Sequence, residues 1–284
     1  MKEGWTKIKR GLEIEDPADL SLHLGCYHEY FERKDPNGNL VRGRSYNQED
    51  FLRSCIERYQ DLSGCKKLTK AATPFLEDPP ADIDLPAGEL QPHAAAILMK
   101  ILYAARISRP DLMRAVCYLA CCITRWDTHC DKQLYRLICY ISCTLHHRHI
   151  GYVSAGDVGC YLLKAYADAD FAGCRFTKRS TSGGLLVIEG LYSNFPIGFC
   201  SKRQGAVSHS TPEAEIVSAD HVLRTMAIPS LDLWNSMPGV LHGRIDFHED
   251  NAAMIRVCET GRNPTMRHLG RVHAVNVKWL HERC

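Results

Sequence analysis

The stretch Tyr161-Leu-Leu-Lys-Ala-Tyr-Ala-Asp-Ala-Asp-Phe-Ala-Gly173 places a short apolar strand directly before two aspartates, Asp168 and Asp170. Two more strand patterns follow it along the chain. A helix then begins near Ser210 or Thr211, and a fourth strand and a second helix come after it. This order predicts an α/β domain with a mixed sheet. The three later strands cover residues 184–189, 196–201 and 244–249, and the second helix covers residues 251–258.

The helix near residue 210 carries a glutamate on the face that is expected to pack on the sheet. Glu215 shares this face with apolar residues at helical spacing, namely Ala219, Val222 and Met226. A carboxylate on such a face is costly unless a cation meets it. Glu213 has a structural explanation instead, because Ser210-x-x-Glu213 is a capping-box pattern. We therefore interpret Glu215, and not Glu213, as a functional residue.

Two aspartates at strand ends join Glu215 in one candidate site. Asp168 follows the first strand, and Asp250 follows the fourth strand in Phe247-His-Glu-Asp-Asn251. Each has a structural alternative, since Asp168 could stabilise a turn and Asp250 could cap the next helix. Taken together, the three acids are hard oxygen ligands that suit Mg²⁺ or Mn²⁺. Two such ions could activate a water and stabilise the leaving oxygen of a phosphodiester.

Upstream of residue 150 the sequence predicts mainly helices. Residues 91–147 contain three apolar stripes at helical spacing, and Arg109-Pro-Asp111 separates the first helix from the second. Residues 47–59 predict another amphipathic helix. The turn signal Asp35-Pro-Asn-Gly-Asn39 indicates a hairpin or a surface loop, and the proline-rich, acidic stretch 73–86 indicates a linker. We find no pattern for chemistry in the three helices of residues 91–147.

Composition and charge restrict the class of protein. Of the 284 residues, 45% are hydrophobic and 24% are charged, which is typical of a folded globular chain. The net charge of +2 neither favours nor excludes a nucleic-acid partner. The N-terminal residues lack a signal-peptide pattern, and the most apolar stretch, residues 94–105, is too short to span a bilayer. We therefore expect an intracellular protein, cytoplasmic or nuclear and not secreted, with no membrane partner and with reduced cysteines.

Five ordered segments resemble the ribonuclease H domain of copia-type LTR retrotransposon Pol polyproteins. They are Tyr166-Ala-Asp-Ala-Asp-Phe-Ala-Gly173, Lys178-Arg-Ser-Thr-Ser-Gly-Gly184, Cys200-Ser-Lys-Arg-Gln204, Ser210-Thr-Pro-Glu-Ala-Glu-Ile216 and Glu249-Asp-Asn-Ala-Ala253. Upstream, Tyr103-Ala-Ala-Arg-Ile-Ser-Arg-Pro-Asp-Leu112 is similar to the family segment that joins reverse transcriptase to ribonuclease H. Residues 47–74 resemble the end of the polymerase domain more loosely, and the first 45 residues match poorly.

The resemblance implies a fold and a division of the chain. The fold would be a ribonuclease H-like mixed α/β sheet with flanking helices, preceded by a small, mainly helical region derived from reverse transcriptase. Residues 1–90 would be a thumb-like reverse-transcriptase remnant with a linker, and residues 91–150 a helical connection region. Residues 160–284 would be a ribonuclease H-like domain that is truncated at its C-terminus.

The resemblance also implies roles for individual residues. Asp168, Glu215 and Asp250 would be catalytic ligands of Mg²⁺ or Mn²⁺ and would cut the RNA strand of an RNA–DNA hybrid. The candidates for phosphate contacts beside this site are Arg179, Lys202 and Arg203, with a solvated surface as the alternative. The implied partners are the RNA–DNA hybrid and the remainder of the Pol polyprotein.

Three departures from the family pattern lower the expected activity. The Tyr-x-Asp-Asp motif of the polymerase is absent, so no DNA synthesis is expected. The fourth family carboxylate is expected on a final helix, after another strand, and the sequence ends at Cys284 before it. Asn276 stands where the family has an aspartate near the end, and nearby histidines do not obviously replace a carboxylate ligand. These histidines are His268, His273 and His281.

Three hypotheses remain open from the sequence. The first is a ribonuclease H-type nuclease whose activity is impaired. The second is a non-catalytic retroelement remnant that at most binds nucleic acid. The third is an integrase- or resolvase-type nuclease of related fold. The order strand-Asp, helix-Glu, strand-Asp favours ribonuclease H, because integrase-type sites place their glutamate last.

Overall fold

The computed structural model describes residues 2–16, 20–80, 83–237, 240–262 and 265–283. The strands are β1 (Leu22–His23), β2 (Cys26–Lys34), β3 (Leu40–Asn47), β4 (His149–Ser154), β5 (Tyr161–Asp170), β6 (Thr181–Glu189), β7 (Asn194–Arg203) and β8 (Val240–His248). The helices are α1 (Lys2–Lys9), α2 (Glu49–Ser63), α3 (Gln91–Ile107), α4 (Met113–Cys122), α5 (Thr128–Cys143), α6 (Thr211–Val222), α7 (Ile228–Ser236), α8 (Ala252–Thr260), α9 (Leu269–Val272) and α10 (Val277–His281).

The eight strands of the described residues form one mixed sheet in the order β1-β2-β3-β4-β7-β6-β5-β8. Neighbouring strands are antiparallel except β5 and β8, which are parallel. Short connections join β5, β6 and β7, whereas β8 reaches the far side of β5 only after α6 and α7. This is the arrangement expected when a parallel strand follows a helical crossover. The structure thus confirms a mixed α/β sheet with flanking helices.

Strands β1 and β4 were not predicted, and β2 with β3 forms the hairpin that was one of the two alternatives for this turn. β2 and β3 flank the predicted turn, where the Asp35 carboxylate accepts hydrogen bonds of 2.9 Å from the backbone amides of Asn37 and Asn39. Gly38 has a φ of 84°, which glycine tolerates. Because β3 pairs with β4 and β4 contacts β7, the sheet runs through all three regions that the sequence suggested. The region before residue 150 therefore contributes strands as well as helices. The division of the chain into residues 1–90, 91–150 and 160–284 stays a prediction.

Two hydrophobic cores lie on opposite faces of the sheet. Helices α2 to α5 supply the first core, and α6, α8 and β5 supply most of the second. Strand β7 separates them, because Phe199 packs against the first core and its neighbour Cys200 packs against the second. Such alternation is the normal consequence of strand geometry. The predicted helical stripes of α3 and α5 form the centre of the first core, where Leu98 and Leu137 are fully buried.

Helix α6 holds the predicted functional glutamate against the sheet. The Ser210 hydroxyl accepts a hydrogen bond from the Glu213 amide and caps the helix, as the sequence predicts. After Val222 the helix widens into a π-helical turn over Leu223–Ala227, before α7 begins. Pro229 accounts for this turn, because proline cannot donate an intrahelical hydrogen bond and crowds the preceding turn. The continuous helix keeps Ala219 and Val222 fully buried on the sheet.

A buried arginine joins the ends of three helices. Arg109, only 1% exposed, lies between α3 and α4 and makes an ion pair of 2.7 Å with Asp111. It also donates hydrogen bonds to the carbonyl and hydroxyl oxygens of Thr144, at the C-terminus of α5, at 3.0 and 2.7 Å. The separation of the first two helices at Arg109-Pro-Asp111 is therefore confirmed, and Arg109 also binds the end of the third helix.

Neither membrane spans nor disulfides occur in the described part of the chain. There, no helix combines the length and the hydrophobicity that crossing a bilayer requires. The cysteines of the same residues are free thiols, many of them buried within the two cores.

Replacing Arg109 by leucine should lower the free energy of unfolding by about 3 kcal/mol, because Asp111 and Thr144 lose their buried partner. Urea denaturation followed by circular dichroism measures this change. The matched control is Arg106→Leu, on the exposed side of α3, which should change stability by less than about 0.5 kcal/mol. Equal effects of the two substitutions would contradict the proposed role of Arg109.

Candidate active site

The two aspartates of β5 lie inside the C-terminal end of the strand. The sequence placed them just after it, but the strand continues to Asp170 because β5 stays paired with β6 up to Thr181. Asp170 forms an ion pair with Arg114 of α4. Asp168 is exposed and has no ion-pair partner among the described residues. Its backbone carbonyl accepts a hydrogen bond of 2.7 Å from the Ser218 hydroxyl, which attaches α6 to this part of β5.

Glu215 lies on the sheet-facing side of α6, as the apolar stripe predicts. The residue is 4% exposed, and its Oε2 atom has no hydrogen-bond partner. Burial, followed by the negative charges of Glu249, Asp168 and Asp250, raises the pKa of the Glu215 carboxyl to about 8. The backbone amide of Ala169 opposes this shift only partly. A buried carboxylate among acidic neighbours is unfavourable without a cation, which is typical of a binding site.

Asp250 is not the cap of the helix that follows it. Asn251 fills that role, since its side chain accepts a hydrogen bond of 3.0 Å from the Met254 amide at the start of α8. The structural alternative for Asp250 is therefore wrong. In the parallel pair of strands, Tyr166 lies beside His248 with stacked rings, 4.6 Å between centroids. Asp168 and Asp250 each come two residues after one of these partners, Asp168 within β5 and Asp250 beyond the end of β8.

Sequence analysis missed a fourth acidic residue, Glu249. Its Oε1 atom accepts a hydrogen bond of 3.2 Å from the Asn251 amide, and its Oε2 atom is buried without a partner. Burial, together with the charges of Asp250 and Asp168, raises the pKa of Glu249 above its usual range. The signal was present in the sequence. Glu249 continues the alternating apolar positions of β8 set by Ile245 and Phe247, which pack against the second core.

These four carboxylates fit a divalent cation by their chemistry. All donors are hard oxygen atoms, which Mg²⁺ and Mn²⁺ prefer. Two of the oxygens, on Glu215 and Glu249, are buried without any hydrogen-bond donor. However, within residues 2–16, 20–80, 83–237, 240–262 and 265–283, no three His, Cys, Asp or Glu side chains lie close enough to hold one ion. Shared coordination would thus require the carboxylates to rotate towards one another.

Glu213 has a separate, structural task. Its Oε1 atom makes hydrogen bonds of 3.1 Å with His268 and 3.0 Å with His273, and its Oε2 atom accepts one from the His209 amide. These contacts attach the segment around α9 to the start of α6. Asn276 caps α10 by accepting hydrogen bonds from the amides of Lys278 and Trp279. His268 and His273 therefore bind a carboxylate that the site does not use.

The three basic candidates do not share one face. Lys202 and Arg203 are consecutive residues of β7, so their side chains leave opposite faces of the sheet. Lys202 is exposed on the side of α6, where burial and then the charge of Lys202 lower the pKa of His221. Arg203 lies near Cys174 and α4 on the other side. Arg179 is half-buried in the connection between β5 and β6. Their contact with nucleic acid stays a prediction.

Comparison with known proteins found similarity to a transposon Pol polyprotein. In an alignment of 236 positions that covers 76% of this chain, the sequence is 26% identical to the retrovirus-related Pol polyprotein from transposon TNT 1-94 of Nicotiana tabacum. The matched chain spans only 16% of the length of that polyprotein. No protein-family model matches the sequence. The similarity supports the expected kinship with a retrotransposon Pol polyprotein.

Proposed function

We propose that the chain is a retrotransposon Pol fragment with a ribonuclease H-type site that hydrolyses the RNA strand of RNA–DNA hybrids. The observation that carries this proposal is the buried Glu215 carboxylate, whose free oxygen lies among acidic neighbours. The raised pKa means that the ionised form of Glu215 is costly here, and a bound divalent cation would stabilise that form. Divalent cations at acidic sites are a common means of cutting phosphodiesters.

The topology adds support. Three antiparallel strands, β5 to β7, precede α6, and β8 then lies parallel to β5. The acidic residues follow this order, with Asp168 on the first strand, Glu215 on the helix and Asp250 after the last strand. This is the order that the resemblance implies for ribonuclease H. It does not fit an integrase-type arrangement, in which the glutamate would come last.

In this proposal some residues bind the cations and others position them. Asp168, Glu215 and Asp250 would bind the cations through carboxylate oxygens. Bound Mg²⁺ or Mn²⁺ would supply an activated water and stabilise the leaving oxygen. The Ser218 hydroxyl contacts the carbonyl oxygens of Asp168 and Gly183 at 2.7 and 3.2 Å, and so holds α6 in place on β5 and β6. This contact fixes the position of Glu215 relative to Asp168.

Contacts to the hybrid would come from the protein surface beside the acids. Lys202 is exposed on the α6 side of the sheet and suits a phosphate contact. Arg179 lies in the connection that follows the strand of Asp168, and Arg203 is the weakest of the three candidates because it faces α4. The remainder of the Pol polyprotein would be the natural covalent partner.

A non-catalytic retroelement remnant is the second candidate. Asn276 favours it, because this residue caps α10 at a position where the resemblance leads us to expect an aspartate. The lack of a three-residue ligand group among the described residues favours it too. Weakened metal binding would reduce cleavage, and the chain would at most retain nucleic-acid binding.

Cleavage of a hybrid with labelled RNA should require Mg²⁺ or Mn²⁺ and should fall more than about 100-fold in Asp168→Asn, since loss of a direct ligand exceeds the usual effect of an outer-shell residue. Gel electrophoresis of the RNA products measures this. The control is Asp61→Asn, an exposed aspartate of α2; it should retain activity. If the unaltered chain cuts no hybrid with either metal, the non-catalytic remnant is the correct function.

Glu215→Gln should stabilise the metal-free protein at alkaline pH. Because the pKa of Glu215 is raised to about 8, the contribution of this group to stability is greatest below the ordinary carboxyl pKa of 4.5. This contribution then falls by up to about 1.4 kcal/mol per pH unit as the pH rises towards 8. The substitution removes this fall.

Thermal unfolding between pH 5 and pH 9, with a chelator present, measures the difference. Glu57→Gln, an exposed glutamate of α2, serves as the control and should follow the unaltered chain at every pH. Parallel curves for Glu215→Gln and the unaltered chain would mean that Glu215 carries no buried charge.

A further inference from the structure

We propose that Cys121 and Cys174 form a modification site at which a peroxide converts the two thiols into a disulfide. Cys174 lies in the connection between β5 and β6, and Cys121 lies on α4. Both are free thiols in the structure. The disulfide joins this connection covalently to α4. The inference does not depend on the proposed function, because neither cysteine belongs to the acidic site.

The two cysteines line one small cavity between α4 and the sheet. Its volume is about 10 Å³, which is room for about one water molecule. Arg114, Cys117 and Cys121 line it from one face of α4, since they follow one another at helical spacing. Cys174 and Arg203 line it from the opposite side. The β-carbons of a disulfide lie about 4 Å apart, and a cavity this small leaves only a short gap for the two side chains to close.

The surroundings of Cys174 favour its thiolate, which is the reactive form of cysteine. Burial would raise the pKa of this thiol, but hydrogen bonds from the Thr177 hydroxyl, from nearby backbone amides and from Arg203 hold the pKa below its usual value. Two backbone hydrogen bonds close the loop that supplies these donors. The Cys174 amide donates to the Arg179 carbonyl at 3.1 Å, and the Lys178 amide donates to the Cys174 carbonyl at 2.8 Å.

Cys121 is the thiol that can complete the reaction. It is partly exposed, as is Arg114 on the same face of α4, so a small oxidant can enter from solvent. The buried thiol of Cys122 lies beside both cysteines of the pair. A hydrogen bond with Cys130 and burial are the main causes that raise the pKa of this thiol, and the charges of Cys174 and Cys121 act in the same direction. Both cysteines of the pair therefore lie close to one common neighbour.

The reaction consumes one peroxide molecule for each pair of thiols. The Cys174 sulfur attacks one oxygen of hydrogen peroxide, and the O–O bond breaks. The second oxygen leaves as hydroxide, which takes up the thiol proton of Cys174 and becomes water, while the sulfur is oxidised to a sulfenic acid. The Cys121 sulfur then attacks the Cys174 sulfur, and the S–O bond breaks. The hydroxide released takes up the proton of Cys121 as a second water. Two thiols are thus oxidised to a disulfide, and the peroxide is reduced to two waters.

Peptide mapping of the full chain tests the inference, after treatment with hydrogen peroxide and alkylation of the remaining thiols. Mass spectrometry of the tryptic digest should show residues 115–125 linked to residues 165–175, with the link located at Cys121 and Cys174 and lost on reduction. Cys174→Ser should lower the yield of the linked peptides at least about 10-fold. Cys121→Ser should leave a sulfenic acid on Cys174, which dimedone traps. The control, Cys143→Ser on the exposed side of α5, should stay within about two-fold of the unaltered chain.

The exposed thiols of Cys143 and Cys160 give the comparison of rates. Cys174 should be oxidised at least about 10-fold faster than either of them. Equal rates would mean that the surroundings of Cys174 confer no reactivity. A sulfenic acid on Cys174 without linked peptides, or a link to Cys117 instead, would show that Cys121 is not the partner. The unaltered chain provides these results without any substitution, and circular dichroism shows whether each variant is folded.

Discussion

The constraint on which the site depends is the position of one acidic side chain between a helix and a sheet. Glu215 lies among Ala219 and Val222, both fully buried, where an ionised carboxylate loses its hydration. Apolar residues would pack better there, so the position is costly for stability. Glu215 is kept in this position because the Ser218 hydroxyl, on the same helix, donates a hydrogen bond of 2.7 Å to the Asp168 carbonyl and so holds α6 against β5. The helix cannot turn Glu215 out to water without losing this contact and the apolar packing around it. Stability sacrificed in this way is commonly found at functional sites.

Local signals in the sequence predicted the elements that carry the site. The apolar run of β5, the capping pattern at Ser210 and the helical stripe through Glu215 each arise from residues close together in the chain, and the structure contains all three elements. The extension of the sheet by β1 to β4 depends instead on pairing between distant segments, as when Arg44 lies opposite Gly151. Strand periodicity is weak in these short segments, and nothing local specifies the partner strand. The helices of residues 91–147 were predicted, but not their packing on the opposite face of the sheet.

The acidic site was only partly predictable, for different reasons at each residue. Glu215 was identified because a helical stripe has a clear period, so one polar residue on it is conspicuous. Asp250 was ambiguous, because Asp and Asn both cap helices, and only the observed hydrogen bond between Asn251 and Met254 assigns the cap. Glu249 was overlooked, although the alternation of β8 marks it in the same way as the helical stripe marks Glu215. The contact of Glu213 with His268 and His273 joins residues more than 50 positions apart, and no local pattern could have revealed it.

The helical region has a structural part in the site, even though its sequence contains no pattern for chemistry. Arg114 of α4 pairs with Asp170 at the end of β5, two residues after Asp168. In the connection that follows, Arg175 pairs with Asp127, and both side chains are largely buried. Asp127 also caps α5 through the amides of His129 and Cys130, so the ion pair is attached to a rigid helix end. Partly buried pairs of this kind hold a loop far better than exposed ones do. Two ion pairs thus attach the segment around Asp168 and Arg179 to α4 and α5. Since the end of β5 is held from one face by these helices and from the other by Ser218 of α6, the acidic site depends on both cores at once.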